Sequence, residues 1–94
     1  MNFRVVDNVE GHRFEADVNG MLAVAQYRLD GRKLVLTHTE VPAELRGQGI
    51  AEQLAETALT SARERNLRVV PLCRFMARYI QRHPEHADLV DDDA

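Results

Sequence analysis

Polar and apolar positions alternate with a period of two along the first half of the chain, and the period then changes. Residues 3–7 read as a short strand, residues 8–11 as a turn, and residues 12–18 as an antiparallel partner. Asn19-Gly20 is a two-residue hairpin signal that favours positive φ at both positions, so residues 21–29 form a third strand. Asp30-Gly31 repeats the device ahead of a fourth strand over residues 33–41. Four strands joined by tight turns make an antiparallel meander.

From residue 49 to 65 the apolar side chains Ile50, Leu54, Ala55, Ala58, Leu59 and Ala62 recur at spacings of three and four, and polar side chains hold the other side. That spacing predicts an amphipathic helix. Residues 67–73 (Leu-Arg-Val-Val-Pro-Leu-Cys) are rich in β formers and return to the sheet, with Pro71 suited to an edge or a splayed position. Phe75, Met76, Tyr79, Ile80 and His83 mark one face of a second, shorter helix that Pro84 ends. The predicted order is ββββαβα, an α+β fold with helices on a mixed sheet.

Ninety-four residues suffice for one core, expected over residues 1–90, with residues 91–94 as an acidic tail. With 45% hydrophobic and 29% charged residues, the composition argues for a globular domain. No apolar run is long enough to span a bilayer, and the start Met1-Asn2-Phe3-Arg4 has no signal-peptide apolar region. A single cysteine excludes an internal disulfide and suits a reducing compartment, so the expected location is cytoplasmic. It also excludes a zinc site built on paired cysteines, and the histidines show no metal-ligand spacing, so no metal is expected. The net charge of -3 divides unevenly: residues 46–82 carry seven arginines against three glutamates. The acidic balance of the whole argues against a nucleic-acid partner, and the local basic excess suits an anionic ligand.

Val41-Pro-Ala-Glu-Leu-Arg-Gly-Gln-Gly-Ile-Ala51 leaves a strand and enters a helix N-terminus. Glycines 47 and 49 let successive amides turn outward, and with the helix dipole they make an anion cradle with Arg46 at its rim. A plain turn and helix cap reads equally well from these residues alone. No Gly-Lys-Ser/Thr follows, so this is not a nucleoside-triphosphate loop, and the third glycine of a dinucleotide fingerprint is absent.

The set Arg46-x-x-Gly49-x-Ala51, His38-Thr39-Glu40-Val41-Pro42, Val69-Val70-Pro71-Leu72-Cys73 and Tyr79-Ile80-x-x-His83-Pro84 resembles the small, single-domain branch of the GNAT acetyltransferase superfamily. The resemblance covers residues 38–84 and implies an acetyl-CoA-dependent N-acetyltransferase acting on a primary amine. It implies that the amides of Arg46, Gly47, Gln48, Gly49, Ile50 and Ala51 hold the pyrophosphate of acetyl-CoA. It implies too that the backbone around Thr39 and Val41 pairs with the pantetheine arm. The turn near residues 8–11 is too short for the two helices that wall the acceptor site in larger members. That departure keeps a non-catalytic acyl-CoA-binding module as the alternative, and an interaction domain using the acidic tail as a third reading.

Cys73 reads either as a small buried hydrophobe or, by the resemblance, as a catalytic residue beside the acetyl group. It could carry the acetyl group covalently, or line the site while the amine attacks acetyl-CoA directly. His38 is the candidate base. Glu40, on the same strand face by period two, is a catalytic candidate by the resemblance, which puts a carboxylate base near this place in many larger members. His38 also reads as a polar side chain satisfied within the sheet, and Glu40 as a solvated surface glutamate. Arg74, Arg78 and Arg82 repeat at i, i+4 and i+8, either as a solvated stripe or meeting an acidic acceptor or the phosphate of the cofactor, with Arg78 the cofactor candidate. His83 reads mainly as a helix-closing side chain, and Tyr79 as core. The expected assembly is a monomer or weak homodimer.

Overall fold

The computed structural model describes residues 3–91. Strands β1 (Val5–Asn8), β2 (Arg13–Val18), β3 (Met21–Asp30) and β4 (Lys33–Glu40) form the antiparallel meander. A short 3-10 helix (Ala43–Leu45) leads to helix α1 (Ile50–Glu64), strand β5 (Arg68–Pro71) and helix α2 (Arg74–Arg82). The five strands lie in the order β1-β2-β3-β4-β5, and β5 runs parallel to β4. This is the α+β order that the period change predicts. Among the described residues no helix is long and apolar enough to cross a membrane.

The turns follow the residues. Asn19 and Gly20 take φ of 55° and 82°, and the amide of Gly20 donates to the Asp17 carboxylate. The second hairpin differs by one residue from its sequence reading. Asp30 stays in the ladder opposite Lys33, and Gly31 occupies the first loop position at φ 60°. The chain also continues beyond α2: Pro84 ends that helix but opens a 3-10 helix (Pro84–Leu89). Val90 then bridges to Val69, and the Asp91 amide donates to the Val69 carbonyl. Arg68 donates to the carbonyls of Asp88 and Val90, and Lys33 pairs with the Asp91 carboxylate. Asp91 is thus tied to the outer edge of β5, while tail residues 92–94 lie outside the described residues.

Both helices pack on one face of the sheet, where Phe14, Ala25, Leu36 and Val69 share a core with Leu54 and Met76. Ala16, Ala23 and Ala25 in the sheet and Ala55, Ala58 and Ala62 on α1 are fully buried in that core. Small side chains on both surfaces let the helix lie close to the strands, so any added volume is felt at once. The other face carries no helix. There Arg13, Glu15 and His38 flank Val24, Val35 and Val70, which stand outside the main core.

A β-bulge decides which β4 side chains face which way. Tyr27 pairs with Leu36, but its neighbour Gln26 pairs with His38, leaving Thr37 as the extra residue. The Thr37 hydroxyl donates to the Gln26 carbonyl at 3.2 Å. Leu34 and Leu36 face the helices before the bulge; after it Thr39 does, opposite Ala25, and His38 and Glu40 turn to the helix-free face. Without the extra residue, period two would aim His38 and Glu40 at α1.

Leu54 is wholly buried beneath α1. Its replacement by alanine should cost about 2–5 kcal/mol through lost burial and a residual cavity. Urea denaturation should show a lower midpoint with an unchanged slope.

Candidate functional site

The bulge also sets where β4 leaves β5. Their pairing runs from Lys33↔Arg68 to Leu36↔Pro71 and stops, while β4 continues to Glu40. The Leu36 carbonyl accepts from the amides of both Leu72 and Cys73 at 3.0 Å, which ends the ladder. A bulge bends and twists its strand, and Pro71 has no amide to extend the pairing. Thr39 therefore keeps β3 on one side and an open gap on the other. The first wall of the site is this exposed strand edge.

The second wall is the loop into α1. Gly47 and Gly49 both stand at φ 81°, and a Cβ on either would meet nothing within 4 Å. Space does not require glycine there; the left-handed backbone does. Gly49 caps α1 with no side chain, so the first-turn amides of Ile50, Ala51 and Glu52 have no capping acceptor. Val41, Leu45, Arg46, Gly47, Gly49, Ile50, Ala51 and Glu52 line a cavity of about 360 Å³ in front of them. Arg46 is anchored by its Nε, which donates to the Val41 carbonyl at 3.3 Å, and Gln48 Nε2 donates to the Glu44 carbonyl at 3.5 Å.

A second cavity of about 480 Å³ joins the first through shared Val41, Arg46 and Ala51. Its walls are His38, Thr39, Glu40 and Phe75. Cys73 lines neither cavity, but its thiol donates to the Thr39 hydroxyl at 3.4 Å, across the gap between the splayed strands. Cys73 is half-buried and caps α2, accepting the Ala77 amide on its carbonyl. On the helix-free face, His38 Nε2 and Glu40 Oε2 are 3.2 Å apart, with side chains 55% and 71% exposed. The fold thus assembles a strand edge, an uncapped helix start and a histidine–carboxylate pair along two adjoining cavities, with a thiol bonded to Thr39 beside them.

Other candidates lie elsewhere. Arg78 is exposed on α2 and lines neither cavity. His83 stacks on Tyr79 at 3.9 Å, and its Nδ1 donates to the Tyr79 carbonyl, closing the end of α2 as its position suggested. The Tyr79 hydroxyl turns toward α1 and donates to Glu56 Oε2 at 2.7 Å. His86, only 6% exposed, gives the same oxygen a bond of 3.0 Å. Burial first, then the Glu56 bond, raises the Tyr79 phenol well above its ordinary value. No local pattern announces this junction, because Glu56 and His86 are 30 positions apart and Glu56 falls on the polar side of α1. The Cys73–Thr39 contact, across 34 positions, was equally hidden.

The chain matches known proteins over most of its length. Residues 13–89 match the model of the GCN5-related N-acetyl-transferase family. Protein NATD1 of Mus musculus is 36% identical over 84 residues, covering 86% of this chain and 76% of that protein. Protein NATD1 of Xenopus tropicalis is 35% identical over 86 residues, covering 88% and 79%. The solution structure of a GCN5-like protein from Staphylococcus aureus superposes with a TM-score of 0.74 at 28% identity, over 96% of this chain and 89% of that one.

The Tyr79 hydrogen bond, reinforced by His86, outweighs desolvation and holds the Glu56 carboxyl below the ordinary glutamate value of 4.5. A depressed folded value makes a stabilising contribution that is complete above the unfolded value and is lost as pH falls through the folded one. Glu56→Gln should therefore flatten the acid limb of stability against pH, measured by urea denaturation from neutral pH to about pH 3.

Proposed function

The chain belongs to the GCN5-related N-acetyltransferase family, and from that membership we propose that it transfers acetyl from acetyl-CoA to a primary amine at the cleft between β4 and β5. One observation carries this reading: the open edge of β4 and the uncapped start of α1 border the same cavity system. A thioester on an amide-bearing arm needs strand-like partners, and a diphosphate needs convergent amide donors. We assign the backbone of Thr39 and Val41 to the pantetheine arm. The amides from Arg46 through Gly47, Gln48, Gly49 and Ile50 to Ala51 take the pyrophosphate, with the Arg46 guanidinium at its rim.

The chemistry then falls at the Cys73 end. The amine must lose a proton, attack the thioester carbonyl and expel the CoA thiolate as the carbon–sulfur bond breaks. His38, bonded to Glu40, is our candidate to take that proton on the helix-free side of β4. Cys73 either accepts the acetyl group first and passes it to the amine, or lines the acyl end while attack is direct. A second reading, an acyl-CoA-binding module without turnover, draws on one observation: β1 and β2 are joined by a short turn that builds no acceptor wall. Acetylation of a defined amine at catalytic enzyme concentration would exclude it.

Arg46→Gln should weaken acetyl-CoA binding about tenfold, the usual worth of one charge-assisted bond to phosphate. Calorimetric titration measures it, and unaltered affinity would remove the site assignment. Incubation with acetyl-CoA followed by intact mass measurement tests the covalent route. An acetyl adduct that hydroxylamine removes and Cys73→Ser abolishes supports the relay; its absence leaves direct attack.

A further inference from the structure

Helix α2 carries three arginines and no acid. Arg74, Arg78 and Arg82 are all exposed, and none forms a hydrogen bond or ion pair among the described residues. Arg13, Lys33, Arg63 and Arg65 each pair with a carboxylate, and Arg68 is bonded to carbonyls. Arg4, Arg28 and Arg32 are exposed without a side-chain partner among the described residues but do not share one helix face. The inner side of α2 is committed to the core through Met76, Tyr79 and Ile80. An uncompensated row of guanidinium groups on a chain of net charge -3 therefore faces solvent on its own. The row starts beside Cys73 and runs away from the acyl end of the cleft.

From this we infer that the guanidinium row of α2 docks an acidic, extended segment of a protein acceptor, placing its lysine at the Cys73 end of the cleft. The substrate class rests on the acyltransferase reading above; the docking strip stands on the charges alone. Arginines four apart on a helix rise about 6 Å per step, and alternate residues of an extended strand are about 6.6–6.8 Å apart. Acidic side chains at every second position of such a segment fall in register with the row, where fork-shaped guanidinium groups bind carboxylates well. A free polyamine is repelled by the same charges. Single-stranded nucleic acid would want exposed aromatic rings beside the cations. Here Tyr79 is buried and Phe75 is half-buried against the core.

The probe is a synthetic peptide with glutamate at every second position ahead of one lysine, compared with its glutamine counterpart. The glutamate peptide should bind the full chain by fluorescence anisotropy, more weakly as salt rises, and be acetylated with the higher kcat/KM. Arg74→Gln/Arg82→Gln should weaken that binding about five- to tenfold and leave acetyl-CoA affinity unchanged. Equal binding of both peptides, indifference to the double substitution, or a loss of acetyl-CoA affinity in that variant would overturn the inference. So would tighter binding of an oligothymidylate than of the peptide. A chain that binds the peptide through these arginines but not acetyl-CoA would keep the docking strip and remove the acyltransferase reading.

Discussion

One extra residue in β4 governs the arrangement around the cleft. Thr37 interrupts the pairing with β3, and every side chain after it changes face. Thr39 joins the helix side and meets Cys73; His38 and Glu40 come out on the other side. The same irregularity bends the strand, so that its pairing with β5 ends at Leu36 and an edge of unpaired backbone opens. A regular β4 would bury a histidine and a glutamate under α1 and close the gap that the thiol spans.

The rest of the fold holds that bent strand in place. Alanines on α1 and on the central strands bring the helix close to the sheet, which fixes where its first turn emerges. Gly49 leaves that turn without a side-chain cap, and Arg46 is tethered to the Val41 carbonyl. Below the cleft, Glu56 collects bonds from Tyr79 and His86 and so locks α2 and the segment after it onto α1. Gly49 and the Arg46–Val41 tether belong to the wall itself, and the Glu56 junction supports it from outside the two cavities. Polar junctions of this kind are specific because a buried donor that loses its partner is costly.

The two faces of the sheet have different consequences for the chemistry. The helix side supplies the strand edge, the amides and the thiol. The bare side supplies an exposed histidine–carboxylate pair and no enclosing wall. On the acyltransferase reading proposed above, a site enclosed on only one side leans on what the acceptor brings with it. An unpaired basic helix face next to the cleft is consistent with that demand.

Much of this was legible in the residues. The period of two up to Val41, the Asn19-Gly20 turn and the three-four spacing from Ile50 determine element type, because local backbone preference and amphipathic burial act over short separations. The Arg46–Ala51 stretch likewise declares a glycine-turned entry into a helix start, since positive φ at Gly47 and Gly49 is a property of the glycines themselves. The structure alone decided the rest. Nothing near Thr37 in the sequence marks a bulge, for it arises from the mismatch between β3 and β4 once they pair. The segment 84–91 carries no periodic pattern, and it finds its partners only in the folded chain, at Glu56 and Arg63 on α1 and at the free edge of β5. Cys73 and Thr39, 34 positions apart, become neighbours because two strands are parallel at one end and diverge at the other. Local chemistry is written in the order of residues, whereas register and divergence are settled only when distant strands compete for the same hydrogen bonds.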